Sequence, residues 1–415
     1  RMLMECLAAG RSISLPGSNT GMQKMTARAV GAYARVRYQF KTAVGHFEGV
    51  EEALARIGGN TWLSDAARVM TAGAIDLGEK PSVVSAIVKY HVTERARQTV
   101  NDGMDVIGGK GICLGPQNFL GRAYQQIPVA ITVEGATILT RSRILPYVLK
   151  EMQAARDGDL AAFDAALWGH VGFTAGNALR ALALGLTGAR FAAVPAEVAP
   201  EARDYYRQLT RLSAAFAFTA DVAMATLGGS LKRREKLSAR LGDVLALMYL
   251  ASAALKRFED EGRPAADLPL LHWELQDCLH KAQLAFEGVI ANFPNRPAAA
   301  LLRRCVVFPL GKPWAPPSDA LGQQVARLLI EPSPTRDRLT SDVYLPTDLD
   351  EPVGALEAAL AATLEAEPVE AKVRRAIKAG EFKPGLPTGG VDGVYDQALA
   401  AGVISRAEHA LIKRR

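Results

Sequence analysis

Glu134 stands between the apolar run that begins at Ile131 and a glycine, Gly135, just before a helical pattern resumes. A carboxyl group so placed loses hydration, which raises its affinity for a proton and suits it to act as a base near neutral pH. The neighbouring Gly135 lets a substrate come close to the backbone. The plainer reading of Glu134 is an acid at a helix N-terminus, stabilised by the macrodipole, and the residues alone leave both open. A second block, Asp105-Val106-Ile107-Gly108-Gly109, ends a helical pattern on paired glycines. There the backbone can approach a planar or phosphorylated ligand, or it simply forms a helix C-cap. A third, Arg37-Tyr-Gln39-Phe40, offers a guanidinium that matches a pyrophosphate and a ring that can stack on a flat ligand. An arginine on a helix is more often merely solvated.

Long helices must hold these blocks. A first helix is expected from Leu3 to Leu15, broken at Pro16-Gly-Ser-Asn19, with a second from Met22 to Gln39. Phe47, Val50, Leu54, Ile57, Ala66, Met70, Ala74 and Leu77 recur at helical steps, and Gly78 to Pro81 reads as a turn. Val84, Ile87, Val88, His91, Val100 and Met104 mark a third long helix ending at Gly108. An irregular segment carrying Pro116 and Pro128 follows, and then a helix from Ala136 to about Ala155.

Beyond Asp159 the chain turns rich in Ala and Leu, with helical patterns over 160–186, 202–227, 232–261 and 269–291. Residues 308–319 are proline-rich and cannot form regular helix, while short helices are expected over 320–329, 354–366 and 369–379 and a glycine-rich loop over 385–391. Short connections and almost no strand alternation predict an all-α chain. An antiparallel bundle occupies residues 1–150, and a second, mostly helical region occupies 151–415.

The 415 residues suffice for two or three domains, and 49% hydrophobic with 22% charged residues is the balance of a globular protein. A net charge of +6 suits an anionic ligand or an acidic surface, though solubility alone accounts for it. Cys6, Cys113, Cys278 and Cys305 lie too far apart for a metal motif, so reduced thiols in the cytoplasm are expected. His272 and His280 flank Cys278 at a spacing that fits no common zinc site, and no metal is expected. No signal peptide opens the chain, no uninterrupted apolar run reaches membrane-spanning length, and Asp243 to Leu255 reads as a buried helix. The start inside an apolar pattern, without a cap, suggests a truncated chain. Walker, GxGxxG and Ser/His/Asp signatures are not recognisable, and the basic clusters lack the interleaved aromatics of a nucleic-acid site.

In order and spacing, the three blocks resemble the C-terminal helical domain of acyl-CoA dehydrogenases over about residues 1–150. Phe308-Pro-Leu-Gly311, Pro317-Ser-Asp319 and Pro332 to Leu339 resemble the C-terminal extension of the bacterial long-chain members. The resemblance implies FAD as cofactor, a long-chain acyl-CoA as substrate and Glu134 as the base that takes the α-proton in the first step of fatty-acid β-oxidation. It also implies an electron-transfer flavoprotein-type acceptor and a homo-oligomer.

By the same resemblance Arg37, Gln39, Phe40, Val106, Ile107, Gly108 and Gly109 contact FAD, usually that of a neighbouring subunit, while Gly135 and Arg11 lie at the acyl-CoA. Val133, Ala136, Asp105, Lys41 and Ala8 depart from the family's residues at their places. The N-terminal helical and β domains of the family are expected to be missing from this chain, which alone is then expected to bind FAD weakly. Two rival readings are a flavin oxidase of the same fold that reduces oxygen, and a non-catalytic helical module. In the latter, residues 151–415 dock a partner or the inner membrane surface through the basic residues around Lys232 to Lys236.

Overall fold

A computed structural model describes residues 10–79, 82–142, 144, 176–307, 309–385 and 392–414. The expected all-α architecture holds. Among the described residues the only sheet is a two-stranded hairpin.

Three long helices, α1 (Ser14–Val36), α2 (Glu48–Asp76) and α3 (Ser82–Ile107), pack against one another. The chain passes from α1 to α2 through the hairpin β1 (Tyr38–Gln39) and β2 (Thr42–Ala43). Helix α3 runs parallel to α1. Arg11, just before α1, bonds Ser85 near the start of α3, and Tyr33 near the end of α1 bonds the Ile107 carbonyl at the end of α3. A short turn of helix, α4 (Gly109–Ile112), leads to α5 (Gly121–Thr132), which packs on α3.

The second region contributes α6 (Arg203–Leu227), the closely paired α7 (Glu235–Asp260) and α8 (Leu268–Ala291), and the short α9 (Arg296–Leu301). Helix α10 (Asp319–Ile330) then returns to pack on α2 and α1. Ser318 accepts the Leu321 N–H and so caps α10 after the proline-rich stretch. One apolar core runs through both regions: Leu54, Ile57 and Trp62 of α2 share it with Leu250 of α7, Leu271 and Phe286 of α8 and Leu329 of α10. The short α11 (Pro334–Leu339) and the long α12 (Pro352–Ala379) follow, and α13 (Asp392–Ala400) and α14 (Arg406–Arg414) close a smaller core over the end of α12.

Three local expectations are corrected. Helix α1 begins at Ser14 and runs straight through Pro16, because a proline in the first turn gives up an N–H that has no partner within the helix anyway. Helix α5 contains Pro128, whose surroundings are exposed, so the carbonyl it leaves unpaired can turn to water. Helix α12 is continuous across Pro368 instead of dividing at 366–369, held on one side by α1, where Arg35 pairs with Glu367, and on the other by the terminal core. The helix expected over Ala136 to Ala155 is described over 137–142, and the helix expected over 160–186 over 176–186. The remainder of both, and residues 386–391 of the glycine-rich loop, lie outside the described residues.

Among the described residues two helices, Pro200–Arg233 and Glu235–Asp260, are by length and composition able to cross a membrane, although no uninterrupted apolar run marks them in the sequence. The second is largely core, with Leu241, Val244, Leu250 and Leu255 fully buried. The basic cluster from Lys232 is an exposed 3-10 turn running into α7, not a helix face.

Candidate functional site

Helix α5 stops at Thr132 and the chain reverses through Glu134 and Gly135 before helix resumes at 137. Both turn residues are left-handed, with φ +54° at Glu134 and +93° at Gly135. Gly135 adopts this freely, whereas a glutamate there costs about 1 kcal/mol. Surrounding bonds hold the turn. The Thr140 hydroxyl donates to the Gly135 carbonyl at 3.0 Å, the Thr137 hydroxyl to Glu94 at 2.9 Å, and the Lys89 ammonium to the Ile131 carbonyl at 3.2 Å.

The Glu134 side chain points inward. Its Oε2 is buried without a hydrogen-bond partner. Its Oε1 lies against Gly10, where a Cβ would sit only 3.2 Å away. Beside Gly10, Arg11 donates from Nη2 to the Ser85 hydroxyl at 3.0 Å while its Nε is buried and unpartnered. Lys89 completes the group. Burial drives its ammonium down to about 8, against the opposing attraction of Glu94 and Glu134 and with a further push from Arg11. Glu134, Gly135 and Arg11 therefore lie together, and Lys89 and Ser85, which the sequence reading did not single out, join them. Their signal lay in the apolar stretch 83–88 of α3, where a serine and a lysine four residues apart share one face.

The other candidate residues gather at the far end of the bundle. Phe40 and Lys41, at φ +48° and +65°, form the tip of the hairpin. Two left-handed residues match the twist of a two-residue hairpin loop, a geometry usually left to Asn and Gly. Phe40 is 90% exposed, its ring edge-on to Phe47 at 6.4 Å, and Arg37 and Gln39 are exposed beside it. At the end of α3, Gly108 takes φ +60° and ψ −134°, a conformation reserved for glycine, and a Cβ on Gly108 or Gly109 would meet nothing within 4 Å. The Tyr33–Ile107 bond, at 3.4 Å, ties this end of α3 to the root of the hairpin. Ser85 and Ile107 are separated along α3 by roughly 33 Å at the helical rise. The chain thus carries two clusters, one at each end of α1 and α3.

The histidines flanking Cys278 face different partners: Tyr205 pairs with His272 at 2.9 Å, and His280 donates to the Trp314 carbonyl at 3.0 Å. Burial pushes the Cys278 thiol far up, so it stays protonated.

Residues 143–415 match the family described as "Acyl-CoA dehydrogenase, C-terminal, bacterial type", and residues 1–148 match "Acyl-CoA dehydrogenase, C-terminal domain". A curated relative, a 3-(aryl)acrylate reductase of Clostridium sporogenes, is 28% identical over 150 residues, covering 35% of this chain and 38% of its own. Among solved structures, an acyl-CoA dehydrogenase complexed with FAD from Bacillus anthracis aligns with a TM-score of 0.61 at 16% identity, over 78% of this chain and 56% of its own. Acyl-CoA oxidase-1 of Caenorhabditis elegans, complexed with FAD and ATP, aligns at 0.54 and 14%, over 88% of this chain and 53% of its own. The two structural likenesses establish shared fold alone. The chain spans about half the length of these solved chains and less of the curated relative.

Proposed function

Because the chain belongs to the acyl-CoA dehydrogenase family, as its bacterial-type C-terminal region, we propose that Glu134 moves a proton at the α-carbon of an acyl-CoA thioester, with FAD as redox cofactor. The observation that carries this reading is the buried, unpartnered Glu134 Oε2, on a left-handed residue whose backbone the surrounding bonds fix. A structural acid at a helix start would spend that oxygen on a backbone N–H. Here it is kept free, in a dry corner, for a partner that arrives from outside.

The residues present fit a flavin nucleotide. Open backbone at Gly108 and Gly109, the exposed Phe40 ring and the Arg37 guanidinium offer close approach, stacking and charge, and Gln39, Val106 and Ile107 complete the two segments. When bound, the flavin supplies the hydride acceptor for the β-carbon. Glu134 takes the α-proton, Gly10 leaves room for its carboxylate, Gly135 lets the thioester approach the backbone, and Lys89 and Arg11 set positive charge beside the site. Since the Glu134 cluster and the hairpin cluster lie at opposite ends of the bundle, one chain does not bring both to the same flavin. We therefore infer a homo-oligomer in which each site takes the base from one subunit and the hairpin from another.

The finer reading is a long-chain fatty acyl-CoA oxidised to its trans-2-enoyl ester, with electrons passed to an electron-transfer flavoprotein-type acceptor in the cytoplasm. The reductase relative favours a second reading, in which Glu134 donates its proton to the α-carbon of an α,β-unsaturated substrate. Both directions use one carboxyl. Substitution of Glu134 by Gln in the flavin-loaded protein is expected to lower turnover at least ~100-fold with the flavin spectrum retained. Near-normal rates would remove the assignment, and comparing acyl-CoA with aryl-acrylate substrates separates the two directions.

A further inference from the structure

A second charged recess lies on the side of α3 facing the second region, a cleft of about 630 Å³ walled by α3, residues 137–142, α7 and α8. Five cationic side chains line it, Arg95, Arg97, Arg141, Arg240 and Lys281, against the carboxylates of Glu94, Asp102 and Asp243. Most of these charges are matched. Arg141 grips Asp243 through two nitrogens, and Arg97 faces Glu94 at 3.4 Å. Asp102 is held by Arg56 and Lys281 by Asp277, two residues outside the lining. Arg240 has only the Asp243 that Arg141 already holds, and Arg95 only the buried Glu274, which lies outside the lining.

Arg95 is the decisive residue. It is 7% exposed, and its Nε and Nη2 are buried with no partner. Its Nη1 lies 3.1 Å from His91 Nδ1, which makes that nitrogen the acceptor and leaves the proton on His91 Nε2, also buried and unpartnered. The His91 ring is neutral, because burial, then Arg95, Lys281 and Arg141, hold it well below its ordinary value. Glu274, the nearby buried acid, is pushed up by burial against the opposing pull of Arg95, with which it makes no hydrogen bond. The lining thus carries five cations against three carboxylates, with N–H groups of Arg95 and His91 unpartnered beside them. A buried guanidinium left in that state is costly, and an incoming anion relieves it.

We propose that this cleft is a binding site for the phosphate dianion of a phosphorylated small molecule, gripped by Arg95, Arg240 and His91 Nε2. Two guanidiniums and an imidazole N–H match the charge and acceptor count of a phosphate better than those of a single carboxylate. The cleft has the volume of a small-molecule site, much more than a bare phosphate fills.

The test is calorimetric titration and thermal denaturation of the full chain with inorganic phosphate, pyrophosphate and malonate at matched ionic strength. Saturable one-site binding of phosphate or pyrophosphate, tighter than that of malonate, is expected, and Arg95→Met or Arg240→Ala should weaken it about tenfold. The variant Glu274→Gln should bind as the parent does and melt near it. Absence of saturable binding up to roughly 10 mM overturns the proposal. Equal binding of malonate overturns the phosphate class. If Glu274→Gln is destabilised, Arg95 is that carboxylate's counterion and no ligand site is needed. Should Arg95→Met fail to fold, unchanged binding by Arg240→Ala decides against the site.

Discussion

Gly31 in α1 lies directly against the backbone of α10, and replacing it by alanine tests whether the bundle and the second region form one packed body. A Cβ at Gly31 would lie 2.3 Å from the Leu329 carbonyl oxygen and 2.9 Å from its carbonyl carbon, both on the backbone of α10. A carbonyl in mid-helix cannot rotate away, so α1 and α10 must part by roughly 1 Å to restore van der Waals contact. Leu329, Ile330, Val325 and Ala326 are fully buried there and would lose packing together. Such overpacking costs about 1–3 kcal/mol, set against a gain of up to ~1 kcal/mol from replacing glycine within a helix. Loss is expected to win. Gly73 in α2 is the internal control, since a Cβ there meets nothing within 4 Å and only the helix gain remains. Thermal and urea unfolding followed by circular dichroism should show Gly31→Ala less stable than the parent and Gly73→Ala at least as stable. If the Gly31 variant equals or exceeds the parent, α10 is not seated on α1 as described.

Arg336, 1% exposed, joins α11 to α10 through the Leu329 carbonyl, to α1 through the Arg28 carbonyl, and to Glu357 of α12. Truncation to Met leaves Glu357 to Arg28 alone and takes a donor from the Leu329 and Arg28 carbonyls, and is expected to cost about 1–3 kcal/mol by denaturant titration. Burial alone would raise the Glu357 carboxyl, but hydrogen bonds from Arg336 and Arg28 outweigh it and hold it below its ordinary value. The stability it contributes is present above its unfolded value and is lost as pH falls through the folded one. Glu357→Gln should therefore flatten the acid arm of the stability curve. Lys89 works in the opposite sense. With its folded value lowered to about 8, its charge costs stability fully below that pH, and the cost fades as pH rises toward its ordinary value. Lys89→Met should melt above the parent at pH 7, with the advantage shrinking as pH rises past 8; a constant offset would contradict this account.

Much of this fold was legible because α2, α3, α7 and α8 carry recurring apolar positions that no proline beyond the first turn interrupts. What misled was proline. Pro16 and Pro368 suggested breaks, yet the first falls where no helical N–H is missed and the second is overridden by packing from both sides. The positions of Glu134 and of the paired glycines were readable as blocks, since a carboxylate before a glycine and glycines after a helix have few local meanings. Their separation was not. That α1 and α3 run parallel, and so send the two clusters to opposite ends, follows from the Arg11–Ser85 and Tyr33–Ile107 contacts, which join residues 74 apart in each case. The Arg95 cleft was equally hidden, because its walls come from helices more than a hundred residues apart and no short motif spans them.

The separation of the clusters yields the sharpest test of the proposed subunit sharing. If a site joins Glu134 of one subunit to Arg37, Phe40 and Gly108 of another, Glu134→Gln and Arg37→Ala each disable every site in their own homo-oligomer. Mixed after dissociation and reassembly, a dimer containing one of each variant holds one site with both defects and one with neither. Random pairing makes half the dimers mixed, so about a quarter of the parental sites should return. Were the base and the hairpin to serve the same flavin from a single chain, every site in the mixture would still carry one defect, and activity would stay at the level of the unmixed variants. The readout needs no knowledge of chain length or acceptor, only a substrate that the parent turns over and a reassembly step that restores the parent's own activity.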